Sequence, residues 1–220
     1  MTKEHSKNPW PTKMAMQQIY SEHLWGSNGD LFYSGEGSHN QELIAPYIKS
    51  VRSFLRSLNG PITLCDLGCG DFNIGKQLVS TVYKYIAVDI VPELIAFNRE
   101  NFASPNVEFR CLDLSKDLLP QGDCALLRQV LQHLSNNEII EIVKKLDDYS
   151  YVILTEHLPQ GEFMSNKDQI SGQGIRLKRQ SGVNILKEPF GLKVKEARVL
   201  LKQKAIPFEG YLVTTLFQLH

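Results

Sequence analysis

Neither sign of charge is in excess in this chain: 24 Lys and Arg stand against 24 Asp and Glu over 220 residues. Net charge therefore gives no ground for bulk nucleic-acid binding, which rests on a basic surplus. No apolar run reaches the length a bilayer span needs. Residues 1–11 are polar and lack the apolar centre of a secretory leader. A cytoplasmic location and no membrane partner are expected. Cysteine is scarce, with only Cys65, Cys69, Cys111 and Cys124. Cys65 and Cys69 miss the C-x-x-C spacing and no second pair follows, which argues against a metal site. Each cysteine lies in or beside an apolar segment, so all four read as reduced, buried thiols. Internal repeats and low-complexity tracts are absent. A chain of this length buries enough core to need no disulfide or metal staple.

Five apolar segments, 62–67, 83–88, 107–112, 124–130 and 151–155, read as strands. Helical patterns separate most of them, at 73–82, 92–102 and 136–146. Near-continuous apolar strands alternating with helices imply a parallel sheet covered on both faces. Ser135 or Asn136 is placed to cap the 136–146 helix, with Glu138 in its first turn. Upstream, residues 1–12 read as loosely held and 12–24 as helical. From 40 to 58, Leu43, Ile44, Tyr47, Ile48, Val51, Phe54, Leu55 and Leu58 share one helical face. Pro46 marks a kink or the true start of that helix, and Gly60-Pro61 ends it. Residues 193–204 and 211–219 read as two further strands. Ile206-Pro207-Phe208-Glu209-Gly210 is too short for a parallel crossover, so that pair is antiparallel.

The most informative stretch is Leu64-Cys65-Asp66-Leu67-Gly68-Cys69-Gly70. An apolar strand runs into a carboxylate and then a G-x-G turn. The glycines let backbone approach a ligand with no Cβ in the way. The next strand ends on Asp89, 19 residues beyond Gly70, close to the roughly 20 expected of a ribose-binding acid after one β-α-β step. A dinucleotide fingerprint would read G-x-G-x-x-G, and Asn73 stands where its last glycine belongs. That weakens, as a rival, an NAD-dependent oxidoreductase.

On these residues the chain resembles the class I S-adenosylmethionine-dependent methyltransferases of small-molecule type. The likeness covers about residues 60–157 and the pattern of the last two strands. It implies an α/β fold: a Rossmann-like, doubly wound, seven-stranded, mostly parallel sheet with an antiparallel C-terminal strand. It implies S-adenosylmethionine as cofactor, with Asp66, Gly68 and Gly70 around its methionine part. Asp89, followed by Ile90, would take the ribose hydroxyls. Asp113, followed by Leu114, would reach the adenine. Arg128 opens the segment Arg128-Gln129-Val130-Leu131-Gln132-His133-Leu134, which matches the family's fourth strand end. Phe72 replaces a third glycine and is expected to wall the methionine end. Residues 1–58 would form helical segments with a lid, Tyr33 lying near the methionine end. Residues 59–220 would form the methyltransferase domain, with 158–190 as a substrate-side insertion.

His133 and His157 are the candidate general bases. Each also reads as structural, His133 packing or capping a helix and His157 ending a strand. Glu156, Arg176 and Asn166 are the candidate substrate contacts, Arg176 as an anchor for an anionic acceptor. The run Arg176-Leu177-Lys178-Arg179 otherwise reads as a solvated face. No Asn-Pro-Pro-Tyr-like turn follows the fourth strand and no cysteine nucleophile stands there, which disfavours nucleic-acid bases as acceptors. The expected reaction is in-line methyl transfer to an O, N or C nucleophile of a small molecule. A protein side chain is the second choice of acceptor, and a non-catalytic cofactor-binding module is the alternative function.

Overall fold

The computed structural model describes residues 10–220. Of the segment 1–12 expected to be loosely held, residues 1–9 lie outside that range and Thr12 opens the first helix. The strands are β1 (Thr63–Leu67), β2 (Lys84–Asp89), β3 (Val107–Cys111), β4 (Cys124–Arg128), β5 (Tyr151–Leu158), β6 (Glu196–Lys204) and β7 (Tyr211–Gln218). The helices are α1 (Thr12–Ser21), α2 (Glu36–His39), α3 (Gln41–Ser57), α4 (Gly75–Leu78), α5 (Pro92–Asn101) and α6 (Asn136–Leu146). One sheet holds all seven strands in the order β3-β2-β1-β4-β5-β7-β6. β1 to β5 are mutually parallel, and β7 runs antiparallel to β5 and β6. The mostly parallel sheet with antiparallel C-terminal strands is the expected α/β architecture. Chain order reverses between β1 and β4, so a crevice opens beyond their carboxyl ends.

Strand periodicity sorts the core into two layers. Cys65, Leu67, Leu127, Val152 and Phe217 face α1 and α6. Leu64, Leu126, Ile153 and Leu216 face α3, whose Ile44, Tyr47, Ile48, Val51 and Leu55 form its buried stripe. Two caps fix the helices that frame the crevice. Asn40 accepts the Glu42 N–H at the start of α3, and Ser135 and Glu138 form a capping box at α6. Pro46 lies inside α3 instead of opening it. The span 73–82 forms only α4 and a 3-10 turn at Val79–Thr81; Ser80 and the β-branched Val79 and Thr81 are weak helix formers. Among the described residues no helix is long and apolar enough to cross a membrane.

Two expectations need correction. Cys65, Cys69 and Cys124 are buried and free, but Cys111 is exposed because β3 is an edge strand. Phe72 does not wall the crevice. Its backbone adopts φ +62, a conformation natural to glycine, and its ring turns into the α3 layer. There it packs edge-on against Tyr85 and Phe109, with centroids 5.5 and 4.8 Å away. Gly75 makes room for that ring, since a Cβ there would run into it. Gly75→Ala should therefore destabilise the fold by about 1–3 kcal/mol through overpacking, read as a lower urea midpoint with unchanged m-value.

Candidate functional site

The site grows from the turn after β1. Gly68 and Gly70 sit at φ +95 and +55. The Gly68 and Cys69 N–H groups donate to the Val88 carbonyl at 2.8 and 2.9 Å. Gly70 N–H donates to one Asp89 oxygen and Val91 N–H to the other, both at 3.1 Å. Each oxygen keeps a lone pair, and Asp89 lines a cavity of about 510 Å3 at the strand ends, a size usual for small-molecule sites. A Cβ on Gly68 would strike Val130, and one on Gly70 would strike Ser34. Asp66, Ile90, Asp113, Leu114 and Arg128 also line this cavity. Burial pushes the Asp66 carboxyl up to about 7, although the Tyr85 hydroxyl donates to it at 2.8 Å. Burial also acts on Asp113, but hydrogen bonds from Ser115 and Lys116 outweigh it and hold that carboxyl below the usual range.

Residues 25–39 roof the cavity. Ser34 N–H donates to Asp71 at 2.6 Å, and Asp71 N–H donates back to Ser34 Oγ at 2.9 Å. His39 Nε2 donates to the same Asp71 oxygen at 2.6 Å, and Tyr20 Oη meets Ser34 Oγ at 2.9 Å. Asn73 donates to the Ser38 carbonyl at 2.7 Å, and Arg128 Nη2 to that of Gly37 at 2.6 Å. Trp25, Ser34 and Gly35 line the cavity. Tyr33 does not: its ring packs beside His39, with centroids 4.4 Å apart, and its hydroxyl donates to Glu36 at 3.1 Å.

Beyond β4, Gln129 adopts φ +58 and its N–H donates to the Thr155 carbonyl at 2.7 Å. Such a strained non-glycine conformation is typical of functional sites. The side chain accepts from Arg128 at 3.0 Å and lines the cavity. Gln132 then fixes the histidines. Its Oε1 accepts the His157 N–H at 3.1 Å, so its Nε2 is the donor to His133 Nε2 at 3.2 Å. His133 therefore carries its proton on Nδ1, which donates to the Gly172 carbonyl at 3.2 Å. Burial lowers its pKa to about 4. His133 faces the cavity with its lone pair engaged, so the structure removes it as a general base. The His157 ring also lines the cavity and donates from Nε2 to the Glu209 carbonyl at 2.6 Å.

The three expected substrate contacts are structural. Arg176 is 1% exposed. It donates to the carbonyls of Leu131, Gln132, Leu134 and Lys167 and to Asn136 Oδ1, which engages every donor of its guanidinium. It thus clamps the 3-10 turn Leu131–His133 to the insertion and is not free to anchor an acceptor. Asn166 is buried and staples the insertion internally, through the Asn184 N–H and the carbonyls of Asn184 and Glu188 at 2.7 to 2.9 Å. Glu156 points to the face of β5 opposite His157, away from the cavity, because strand side chains alternate. Its two oxygens have no hydrogen-bond partner among the described residues. Sequence reasoning passed over Gln129, Gln132, Leu43, Phe208 and Glu209, all cavity-lining. Their signals are weak: Leu43 reads as helix core and Phe208 as turn.

Residues 64–149 match the methyltransferase domain family. No curated protein sequence matches the chain. Among solved structures, the fold is similar to N-methyltransferase NodS from Bradyrhizobium japonicum in complex with S-adenosyl-L-homocysteine. The TM-score is 0.66 at 11% identity, covering 93% of this chain and 98% of that one. It is similar to human N-acetylserotonin methyltransferase in complex with SAM, with TM-score 0.58 at 18% identity over 94% of this chain and 59% of that one. It is also similar to magnesium protoporphyrin IX methyltransferase from Synechocystis with bound SAM, with TM-score 0.58 at 14% identity over 97% and 100%. Residues 64–149 thus carry a methyltransferase domain, and the chain as a whole shares the fold of these methyltransferases.

Glu156 gives a direct check on this side of the sheet. Burial raises its carboxyl to about 8 despite the nearby Arg176 charge. The folded state keeps a proton that the unfolded state loses above about pH 4.5. Glu156 therefore withdraws stability as pH rises from there towards 8. Glu156→Gln, fixed in the neutral form, should match wild type near pH 4.5 and exceed it increasingly up to pH 8.5 in urea denaturation.

Proposed function

We propose that this chain transfers the methyl group of S-adenosylmethionine to an O, N or C nucleophile of a small molecule. The observation that carries the reading is Asp89, held by the Gly70 and Val91 N–H groups with lone pairs left for a ligand at the switch point of the sheet. The cofactor fits the donor set that surrounds it. Asp89 would take the ribose hydroxyls, Ile90 and Leu114 would flank the adenine, and Asp113 would face its amino group. Asp66 and Arg128 would hold the methionine end; the Arg128 Nε is buried without a partner among the described residues. The bound sulfonium supplies a methyl group already activated for attack.

The protein's own work is alignment and exclusion of water. The turn at Gly68–Gly70 fixes the donor side. The roof from Trp25 to His39 closes over it through Asp71 and Arg128. The acceptor side lies towards Gln129, His157, Leu43, Leu212 and Phe208, all on the same cavity. A single roofed cavity shared by both halves suits a small acceptor.

S-adenosylmethionine and its demethylated product should each raise the melting temperature, and NAD should not. Asp89→Ala should weaken cofactor binding roughly 10- to 100-fold, the loss of one or two hydrogen bonds to a charged group. Transfer of labelled methyl from the cofactor into a small-molecule metabolite extract separates an enzyme from a mere binder. Stabilisation by NAD alone would contradict the reading.

A further inference from the structure

We infer that His157 is the proton acceptor of the reaction, and that the acceptor substrate is a largely apolar small molecule presenting a weakly acidic O–H or N–H to its Nδ1. This rests on the methyl-transfer reading above and names the chemistry of its acceptor.

Only two histidines line the cavity among the described residues, and His133 has no lone pair to offer. His157 differs. Its Nε2 donates to the Glu209 carbonyl at 2.6 Å, so the lone pair of the neutral ring is on Nδ1. No protein group bonds to Nδ1 among the described residues, and it is not among the atoms sealed from solvent. The backbone is fixed as well, by Gln132 on its N–H at 3.1 Å and by pairing with Leu212 across β7. The ring thus lines the cavity in a set orientation, with one acceptor atom that no protein group engages among the described residues.

Its surroundings define the molecule it would meet. Leu43, Ala205 and Leu212 form a small separate cluster, and all three line the cavity. Phe208, 57% exposed, stands at the mouth on the β6–β7 turn. The Gln129 side chain, whose amide oxygen accepts from Arg128, also lines the cavity. A free imidazole acceptor beside the apolar wall of Leu43, Ala205, Leu212 and Phe208 matches a hydroxyl or ring N–H carried by an apolar body. Glu36, Arg128, His133, Lys178 and Glu209 are among the other titratable groups lining the cavity, with Asp66, Asp89, Asp113 and Glu138. The His157 pKa is lowered by burial, opposed only by the Glu209 carbonyl bond, so the ring is neutral at pH 7. In the step, the acceptor's oxygen or nitrogen bonds to the methyl carbon while the carbon–sulfur bond of the sulfonium donor breaks. Sulfur keeps that electron pair, and the acceptor's proton passes to Nδ1, then to solvent.

The test has three parts. Nitrogen-15 histidine NMR should show His157 as the Nε2–H tautomer at pH 7, titrating below 6.5; an Nδ1–H tautomer would overturn the assignment. Labelled cofactor should methylate a panel of phenols and N–H heterocycles but not carboxylates with matched apolar bodies. Preference for the carboxylates, or no turnover of any member while the cofactor binds, would overturn the acceptor class. His157→Gln should keep the cofactor Kd and acceptor KM, lose about 100-fold or more in kcat, and lose the acid limb of the pH profile. A variant as fast as wild type would overturn the role of His157. Failure of the wild type to bind the cofactor at all would instead strike the methyl-transfer reading, and the NMR result would still stand on its own.

Discussion

The site depends on how the end of β2 holds the turn after β1. The Val88 carbonyl takes two consecutive N–H groups of the turn, and the Asp89 carboxylate takes the next, from Gly70. These bonds fold the glycine turn back on the sheet and fix the acid facing the cavity. A half-buried carboxylate still gains from having its oxygens bonded, and the N–H donors of Gly70 and Val91 meet that need. The same turn supports the roof. Asp71 follows Gly70 directly and receives Ser34 and His39 from the N-terminal segment. One short stretch of backbone therefore positions both the floor of the donor site and its cover.

A second constraint shapes the acceptor half. The turn Leu131–His133 carries Gln132 and His133, and Arg176 grips its carbonyls from the insertion. Gln132 then ties this turn to the backbone of His157. The insertion 158–190 thus backs this wall of the cavity through a buried cation with every donor engaged. In the proposed reaction, substrate contact would fall to residues mounted on that frame, Gln129 and His157, and to the tip of the β6–β7 hairpin.

The central strands were legible because β1, β2, β4 and β5 are apolar runs buried on both faces, and the antiparallel last pair followed from a connection too short to cross over. The acids and glycines at the strand ends were legible because their spacing repeats one β-α-β step. What stayed hidden depends on contacts distant in sequence. Arg176 in a polar, basic run reads as solvated or ligand-facing; only the folded insertion shows it buried against the 131–136 carbonyls. Phe72 reads as a wall beside the cofactor because its left-handed backbone, and the room Gly75 leaves for its ring, are not written in local spacing. His133 and His157 look alike in sequence. The difference between them is a tautomer set by Gln132 on one and by the Glu209 carbonyl on the other.

A crystal structure with S-adenosylhomocysteine bound tests the central claim most directly. The account predicts the ribose hydroxyls on Asp89, the adenine between Ile90 and Leu114, and the sulfur turned towards the space between Gln129 and His157. A ligand bound elsewhere, or with its ribose away from Asp89, would contradict it.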